Sequence, residues 1–308
     1  MAAADNELEL NLGELDARFT DSNAAAEYLE SLRWPDGPAC PHCGEHERAP
    51  YRLMGKSARR RLWKCRACRK QFTVTVGTIF ESSHIPLNKW LLAFYLLCSS
   101  KKGMSAHQLH RMLKVTYKTA WFMFHRIREA MSDPAFAERM TGTVEVDETY
   151  IGGKIRGQVS GRGSPNKVPV VALVERGGDV HSERVANVNA ACIGEVLRRR
   201  VDPSARLMTD QFPTYRKLGK DYASHEFVVH STGEYVRGEA HTNTIEGYFA
   251  ILKRGLNGTY HHVSQAHLDR YLAEFDFRYN ARSVSDGQRT IRALEGAEGK
   301  RLKYRETR

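Results

Sequence analysis

The sequence predicts a mixed α/β fold in which a cysteine-rich ribbon and a helical region come before the sheet. Two Cys-x-x-Cys pairs lie close together in the first quarter of the chain, and a stretch with helical periodicity follows them. From about residue 143, strand-like and helical runs follow in the order β-β-β-α-β-α-β-α. This order, with a hairpin among its first strands, is typical of a mixed sheet flanked by helices.

The 308 residues carry a formal net charge of +11 and a pI near 9.4, which favours a polyanionic partner, most often nucleic acid. The first 39 residues hold nine acidic side chains against two arginines, so the basic excess lies in the rest of the chain. No run reaches the ~18 apolar residues of a membrane helix, and the acidic N-terminus lacks a signal-peptide pattern. The sequence therefore predicts a cytoplasmic, nucleoid-associated protein without a membrane partner.

The first predicted element is a short amphipathic helix over residues 20–33, within an acidic N-terminal segment that covers residues 1–38. The pair Trp34-Pro35 predicts the end of this helix and a turn after it. Further along, the alternation of polar and apolar side chains over residues 71–76 predicts a strand that follows the second cysteine pair.

The paired cysteines predict a structural zinc site. Each Cys-x-x-Cys turn presents two thiolates to one ion, and the 21 residues between the pairs are enough for a β-hairpin that brings them together. A redox pair is the alternative, which the doubled motif disfavours. A closed shell of four ligands leaves no open position for chemistry, so the zinc is expected to be structural. The predicted zinc ribbon covers residues 39–80, and its ligands are Cys40, Cys43, Cys65 and Cys68.

The next predicted region, residues 81–135, contains a candidate helix-turn-helix. Helical spacing over residues 105–131 is interrupted by a turn near Val115. A short first helix, a tight turn and a polar start of the second helix are what docking in a DNA major groove requires. A plain helical hairpin packed in a core is the alternative, and the basic composition favours DNA. The candidate DNA contacts are Lys118, Thr119 and Arg126, with His125 and Arg128 nearby.

The last predicted domain covers residues 136–308 and contains the alternating strands and helices. The pair Gly177-Gly178 predicts a hairpin turn between two of the strands. The predicted strands are 143–147, 168–175, 180–188, 205–210 and 224–230, and the predicted helices are 190–200, 242–254 and 264–281.

Two acidic residues, Asp147 and Asp210, end apolar strand runs in this domain. The run Val144-Glu145-Val146-Asp147 alternates, so its two acids share one face of a strand. Carboxylates at neighbouring strand ends can jointly hold two Mg²⁺ ions, which prefer oxygen ligands and stabilise the attacking and leaving oxygens of a phosphodiester displacement. The sequence therefore predicts a candidate metal site at these strand ends.

A third carboxylate lies on a predicted helix. Asn243, Glu246 and Lys253 share one face of this helix, so a carboxylate and an ammonium lie two turns apart. Each acid taken alone is most simply a solvated surface residue, and the combination with the two strand ends favours a catalytic site.

Six motifs occur in order along the chain, and they run from the first cysteine pair to the predicted catalytic helix. The motifs are Cys40-Pro41-His42-Cys43, Gly77-Thr78-Ile79-Phe80, Ile85-Pro86-Leu87-Asn88-Lys89-Trp90, Val146-Asp147-Glu148-Thr149-Tyr150-Ile151-Gly152-Gly153-Lys154, Thr209-Asp210 and His241-Thr242-Asn243-Thr244-Ile245-Glu246-Gly247. With these motifs, the chain resembles a bacterial insertion-sequence transposase of the ISXO type, within the ribonuclease-H-like DDE superfamily. The resemblance runs from about residue 20 to residue 282, and the last two motifs with their spacing are specific.

The resemblance implies a ribonuclease-H-like mixed sheet flanked by helices and a catalytic ion that is Mg²⁺ or Mn²⁺. The metal-binding triad that it implies is Asp147, Asp210 and Glu246. It further implies that Lys253 contacts DNA. Relatives differ at the third position of the triad, so Asn243 is a rival or accessory ligand. Glu145 and Glu148 are weaker rivals and are expected to be surface or salt-bridging acids.

The connector over residues 152–167 is rich in glycine, basic, and without an acidic residue. A flexible connector is the plain interpretation, but its charge beside a predicted active site favours a loop that tracks DNA. Its candidate DNA contacts are Lys154, Arg156, Arg162 and Lys167, and Arg254 and Tyr215 are further candidates.

The predicted function is that of a DNA transposase that binds the terminal inverted repeats of an insertion sequence and catalyses strand cleavage and strand transfer into target DNA. Bringing two ends together implies at least a homodimer on DNA. No Gly-x-x-x-x-Gly-Lys-Ser/Thr phosphate loop occurs in the sequence, so no nucleotide cofactor is expected. The alternatives are a non-enzymatic DNA-binding regulator and a structure-specific nuclease on the same fold.

Overall fold

The computed structural model describes residues 13, 19, 21–54, 61–132, 139–153 and 167–307. The chain forms two compact units, of which the first contains residues 1–132 and 284–308 and the second contains residues 133–283. The predicted domain of residues 136–308 is therefore too long at its C-terminal end, because its last 25 residues belong to the first unit.

The first unit begins with helix α1, Ser22–Arg33, in agreement with the predicted helix. Asp21 caps α1 because its carboxylate accepts hydrogen bonds from two backbone N–H groups of the first turn. Glu30 of α1 is buried, and its carboxylate accepts hydrogen bonds from the side chains of Arg52, Arg61 and Trp63. These contacts fix α1 against the ribbon that follows it.

The ribbon is a three-stranded antiparallel sheet of strands β1 (Tyr51–Arg52), β2 (Trp63–Lys64) and β3 (Gln71–Phe72). The predicted strand over residues 71–76 is too long, because the chain turns directly after Phe72. The Arg33 guanidinium donates hydrogen bonds to the carbonyls of Val74 and Val76, which therefore have partners without a sheet ladder.

The remaining helices of the first unit are α2 (Leu87–Ser99), α3 (Ala106–Leu113), α4 (Tyr117–Met131) and a helix near the C-terminus, α9 (Asp286–Glu295). Helix α9 was not predicted, and it packs on α2. Ser285 begins α9 with a capping box to Gln288, which is a signal that the sequence does contain.

The second unit is built on a five-stranded mixed sheet with the spatial order β6-β5-β4-β7-β8. β4, β5 and β6 are antiparallel neighbours, and β7 and β8 continue the sheet in parallel with β4. Three antiparallel strands followed by two parallel ones give the ribonuclease-H-like arrangement. The strands are β4 (Thr143–Ile151), β5 (Val168–Glu175), β6 (Val180–Arg184), β7 (Arg206–Thr209) and β8 (Ser224–Phe227).

Helices cover both faces of this sheet. β5 is almost entirely apolar, and alternate residues face opposite sides, so it contributes to two separate cores. One core contains α7 and α8, and the other contains α5 and α6. The helices are α5 (Ala190–Arg200), α6 (Pro213–Leu218), α7 (Asn243–Gly255) and α8 (Leu268–Asn280).

Strands β6 and β8 end at Arg184 and Phe227, before the predicted ends at residues 188 and 230. Two further features of the second unit also differ from the prediction. Asp147 lies in the middle of β4 rather than at its end, since the strand continues to Ile151 in register with β5. A small hairpin of β9 (Val236–Arg237) and β10 (Ala240–His241) precedes α7, and it was not predicted because its strands have only two residues each. Within the described parts of the chain, no helix has both the length and the apolar character that crossing a membrane requires.

Candidate active site and zinc centre

The four predicted zinc ligands come together in the ribbon. The Sγ atoms of Cys40 and Cys68 lie 3.7 Å apart, as do those of Cys43 and Cys65, and all four lie within 4.8 Å of one another. Four thiolates arranged tetrahedrally at the usual Zn–S distance of about 2.3 Å would be separated by about 3.8 Å. The donor set and its spacing therefore fit a structural Zn²⁺ held by the four predicted ligands.

Asp147 lies in β4, and Asp210 directly follows the adjacent parallel strand β7, at an equivalent level. The last residues paired between β4 and β7 are Glu145 and Met208, and each aspartate lies two residues beyond its member of that pair. Neighbouring strands in a sheet are about 4.8 Å apart, so the two carboxylates leave the sheet side by side. Each also accepts a local backbone hydrogen bond: Asp147 from the N–H of Glu148 at 2.8 Å, and Asp210 from that of Phe212 at 2.9 Å.

The third predicted acid, Glu246, lies in the first turn of α7. The Thr242 hydroxyl donates a hydrogen bond of 2.9 Å to its Oε1 atom, and His230 Nε2 lies 3.5 Å from the same oxygen. The carboxylate keeps 46% of its side-chain surface exposed. It is therefore oriented by neighbours while it remains accessible to a ligand.

Electrostatics link the three acids. The pKa of Asp147 is raised from its ordinary value of 3.8 to about 8, first because burial disfavours the charged form. The negative charges of Glu148, Asp210 and Glu246 raise it further, against the lowering effect of the Glu148 backbone N–H. A carboxylate that is held at a low-dielectric strand among other acids is stabilised in its charged form by a nearby cation.

The donor chemistry of the acidic site fits Mg²⁺ or Mn²⁺, which prefer carboxylate oxygens. Within the described residues, the four cysteines are the one close group of three or more His, Cys, Asp or Glu side chains that could hold an ion. Asp147, Asp210 and Glu246 are not brought together as closely as these thiolates. Mg²⁺ keeps several water ligands and needs few protein groups.

Glu145 and Glu148 have assigned partners outside the three acids. Glu145 is fully buried and forms a salt bridge with Arg176, so of the two expected roles, surface or salt-bridging acid, it takes the second. Glu148 accepts a hydrogen bond of 2.8 Å from the hydroxyl of Tyr215. Tyr215 itself is 1% exposed. It is therefore not accessible to DNA, contrary to the expectation that it contacts DNA.

Two residues at the site, Thr242 and His230, were not singled out by sequence reasoning. Thr242 lies four residues before Glu246, within the motif that carries the resemblance, so its position on the same helix face was a usable signal. His230 follows β8 and lies 16 residues before Glu246. Only the tertiary fold brings it to the third acid.

Asn243 and Lys253 are both exposed on α7, as is the neighbouring Arg254. Asn243 is the first residue of the helix and lies one turn before Glu246. The ammonium of Lys253 lies 5.8 Å from the centroid of the Phe249 ring. Seven residues of helix rise by ~10 Å, so Lys253 lies two turns beyond Glu246 along α7.

Helices α3 and α4 follow each other with a turn over residues 114–116 between them, as predicted. Ser105 caps α3, Lys114 ends it in the left-handed conformation, and Thr116 caps α4 through the N–H of Thr119. Lys118 is exposed at the start of α4, and Thr119 is half-buried with its hydroxyl 2.9 Å from that of Thr116. The start of the second helix therefore presents a cation to solvent.

Arg126, however, is misassigned as a DNA contact. It is 7% exposed, and its guanidinium donates hydrogen bonds to the carbonyls of Leu302 and Glu81. His125 and Arg128 are buried as well. These three side chains face the interior because this part of α4 packs against other helices of the first unit.

In the basic connector, Lys167 is half-buried at the start of β5. The predicted contacts Lys154, Arg156 and Arg162 lie outside the described residues.

Segments of both units match known protein families. Residues 20–71 match the transposase zinc-ribbon domain, and residues 139–280 match the ISXO2-like transposase domain. An uncharacterized protein in transposable element ISH50 of Halobacterium salinarum is 32% identical over 276 residues, which is 84% of this chain and 91% of that protein. An uncharacterized transposase-like protein of Haemophilus influenzae is 29% identical over 101 residues, which is 33% of this chain and 80% of that protein.

Among solved structures, the Mos1 strand transfer complex aligns with 67% of this chain and 74% of its own chain, at 15% identity and a TM-score of 0.30. The Mos1 paired-end complex with the left transposon end aligns at 14% identity and a TM-score of 0.29, over the same shares of the two chains. The domain matches and the full-length relative are decisive by themselves: the chain belongs to the ISXO2-like transposase family.

Proposed function

We propose that this transposase binds the terminal inverted repeats of its element and catalyses metal-dependent strand cleavage and strand transfer into target DNA. The observation that carries the proposal is the placement of three acids from distant parts of the sequence. Asp147 and Asp210 lie at equivalent levels of adjacent parallel strands, and the charge of Glu246 acts on Asp147 from α7.

In this proposal, the chain supplies oxygen ligands on a rigid frame. Asp147 and Asp210 are fixed by the sheet, and Thr242 orients the Glu246 carboxylate through its hydroxyl. A pair of Mg²⁺ or Mn²⁺ ions, when bound, stabilises the attacking and leaving oxygens of an in-line phosphodiester displacement. Lys253 binds a phosphate beside the site and holds the strand in register with the carboxylates.

Recognition of DNA is assigned to the first unit. The exposed surface of the helix-turn-helix carries Arg111, Lys114 and Lys118, and its second helix begins with polar residues. The ribbon adds the exposed cations Arg66 and Arg69. Phosphate contacts by such cations position a protein on DNA and make binding depend on salt. Because strand transfer requires the element ends to be brought together, we assign the active form to an assembly of at least two chains.

A strand-transfer assay tests the proposal. Purified zinc-loaded protein is incubated with labelled DNA that carries the element end, target plasmid, and Mg²⁺ or Mn²⁺. The proposal predicts cleavage at the element end and covalent joining of the new 3′ end to the target. Cleavage without joining identifies a nuclease, and DNA binding without either product identifies a regulator.

The matched variant is Asp210→Asn, which keeps the side-chain size and removes the charge. We expect it to bind end DNA as the wild type does and to give neither product. Equal activity of the variant and the wild type would contradict the assignment of the site, even if products formed.

A further inference from the structure

Glu145 is an unusual residue for the middle of a sheet. It lies in β4 between the fully buried Val144 and Val146, and it is fully buried itself. An ionised carboxylate in such a place is costly unless charged and hydrogen-bonded partners surround it. Its partners are therefore informative about why it is there.

Most of these partners belong to the start of α7. The backbone N–H groups of Thr244 and Ile245 donate hydrogen bonds of 2.9 and 3.0 Å to Oε2 of Glu145, and the Thr244 hydroxyl donates one of 2.9 Å to Oε1. The residue before the helix, Thr242, makes no side-chain cap bond. Glu145 thus caps α7 from a different element, where the free N–H groups and the helix dipole favour a negative charge.

The charge of Glu145 is balanced locally. Arg176 donates a hydrogen bond of 2.7 Å to Oε1, and its other N–H groups donate to the carbonyls of Glu239 and His241. His241 Nδ1 lies 3.2 Å from Oε1. This network joins β4 to the hairpin that leads into α7. With its oxygens engaged in this way, Glu145 is not a ligand for the catalytic ion.

The position of the cap relates two of the catalytic acids to each other. Glu145 lies two residues before Asp147 on the same face of β4, and Thr244 lies two residues before Glu246. The hydrogen bonds between Glu145 and Thr244 are therefore a direct tie between the strand that carries one acid and the helix that carries another.

We propose that Glu145 is a positioning residue, which sets the separation between the carboxylates of Asp147 and Glu246 and so tunes the affinity of the site for the catalytic metal. This inference rests on the proposed function. Outer residues that orient metal ligands typically change metal affinity or activity by about 10–100-fold when they are replaced.

The variant that tests the inference is Glu145→Gln, which keeps the shape and removes the charge that caps the helix. The matched control is Glu274→Gln in the same unit, because Glu274 is also fully buried and paired with an arginine, Arg278, on α8. Both variants are expected to lower the melting temperature. Only the residue at the cap is expected to change the metal site.

The first measurement is Mn²⁺ binding to the zinc-loaded full-length protein without DNA, followed by the electron paramagnetic resonance signal of free Mn²⁺. We expect Glu145→Gln to raise the dissociation constant about tenfold and Glu274→Gln to leave it unchanged. Thr244→Val removes one of the donors and disturbs the core less, so we expect it to shift the constant a few-fold. This second variant provides the test if Glu145→Gln does not fold.

The second measurement is end cleavage as a function of metal concentration. Glu145→Gln is expected to cleave about 10–100-fold more slowly and to recover partly at high Mn²⁺, which a loss of fold alone would not produce. Wild-type metal affinity in Glu145→Gln or Thr244→Val, or an equal loss in Glu274→Gln, would overturn the inference. Absence of Mn²⁺ binding and cleavage in the wild type would instead overturn the proposed function together with it.

Discussion

Asp147 gives a prediction at the scale of a single residue, because its pKa links stability to function. In the protein without catalytic metal, Asp147→Asn removes a half-buried charge among other acids, so we expect a higher melting temperature together with loss of strand cleavage. Single stabilising substitutions commonly gain about 0.5–2 kcal/mol, which at about 2–4 °C per kcal/mol corresponds to a rise of roughly 1–8 °C.

The pH dependence of this gain has a definite sign. The folded-state pKa of Asp147 is about 8 and the ordinary value is 3.8, so the folded protein binds a proton more tightly than the unfolded chain does. Below about pH 4 the group is protonated in both states and the variant gains nothing. Between pH 4 and 8 the gain grows, and above pH 8 it is constant.

Calorimetry of wild type and variant at several pH values provides the measurement. The buffer must lack Mg²⁺ and Mn²⁺ but also lack a chelator, because a chelator would remove the structural zinc. A difference in melting temperature that stays constant from pH 4 to pH 8 would show that Asp147 does not titrate as described.

Single-residue variants also decide whether Glu246 or Asn243 is the third ligand of the catalytic metal. Glu246→Gln is expected to reduce end cleavage by at least about 100-fold, because a lost metal ligand removes several kcal/mol of transition-state stabilisation. Asn243→Ala, one turn earlier on the same exposed helix face, is expected to retain most of the rate. Single-turnover cleavage by both variants gives the comparison. The reverse ranking would assign the metal to Asn243.

At the scale of elements, the zinc ribbon is expected to need all four cysteines to keep its metal. Cys40→Ser is expected to lose the bound zinc and to weaken binding to end DNA, since the ribbon depends on its metal for folding. Cys192→Ser is the control, because Cys192 lies outside the cluster. Zinc per chain by mass spectrometry and a DNA-binding titration measure the two effects, and full zinc content in Cys40→Ser would contradict the assignment.

Two basic side chains of α4, Lys118 and Arg126, are expected to differ in what their removal changes: DNA binding for Lys118 and stability for Arg126. Lys118→Ala is expected to weaken DNA binding and to reduce the slope of log K against log salt by about 1, with unchanged stability. Arg126→Ala leaves the carbonyls of Leu302 and Glu81 without their donor, so it is expected to cost about 1–3 kcal/mol of stability. Salt-dependent binding and denaturant unfolding separate them, and the opposite pattern would place Arg126 on DNA.

Elements were predictable where the signal is local. The period of the apolar residues, the turn near Val115 and the turn at Gly177 were all readable from short stretches. The burial of Arg126 was not, because its partners lie 45 and 176 residues away. The local sequence does not distinguish a basic helix residue that contacts phosphate from one that donates hydrogen bonds to carbonyls of a distant segment.

On the scale of the whole molecule, the division into two units explains which features could be predicted from the sequence and which could not. The three acids were identifiable because two follow apolar strand runs and the third lies in a specific motif. The path of the last 25 residues was not, since helix α9 belongs by packing to the first unit although it follows the second in sequence. The role of Glu145 needed the fold as well, because its partners lie 31 and 99 residues away.

In the proposed function, Asp147, Asp210 and Glu246 share one divalent-metal site. The most direct test is an anomalous difference map from crystals of the zinc-loaded protein soaked in Mn²⁺. We expect a manganese peak with carboxylate oxygens of all three residues at about 2.0–2.2 Å, distinct from the zinc among the four cysteines. A fully soaked crystal with no peak at these carboxylates, or with a peak ligated by Asn243 in place of Glu246, would contradict the account.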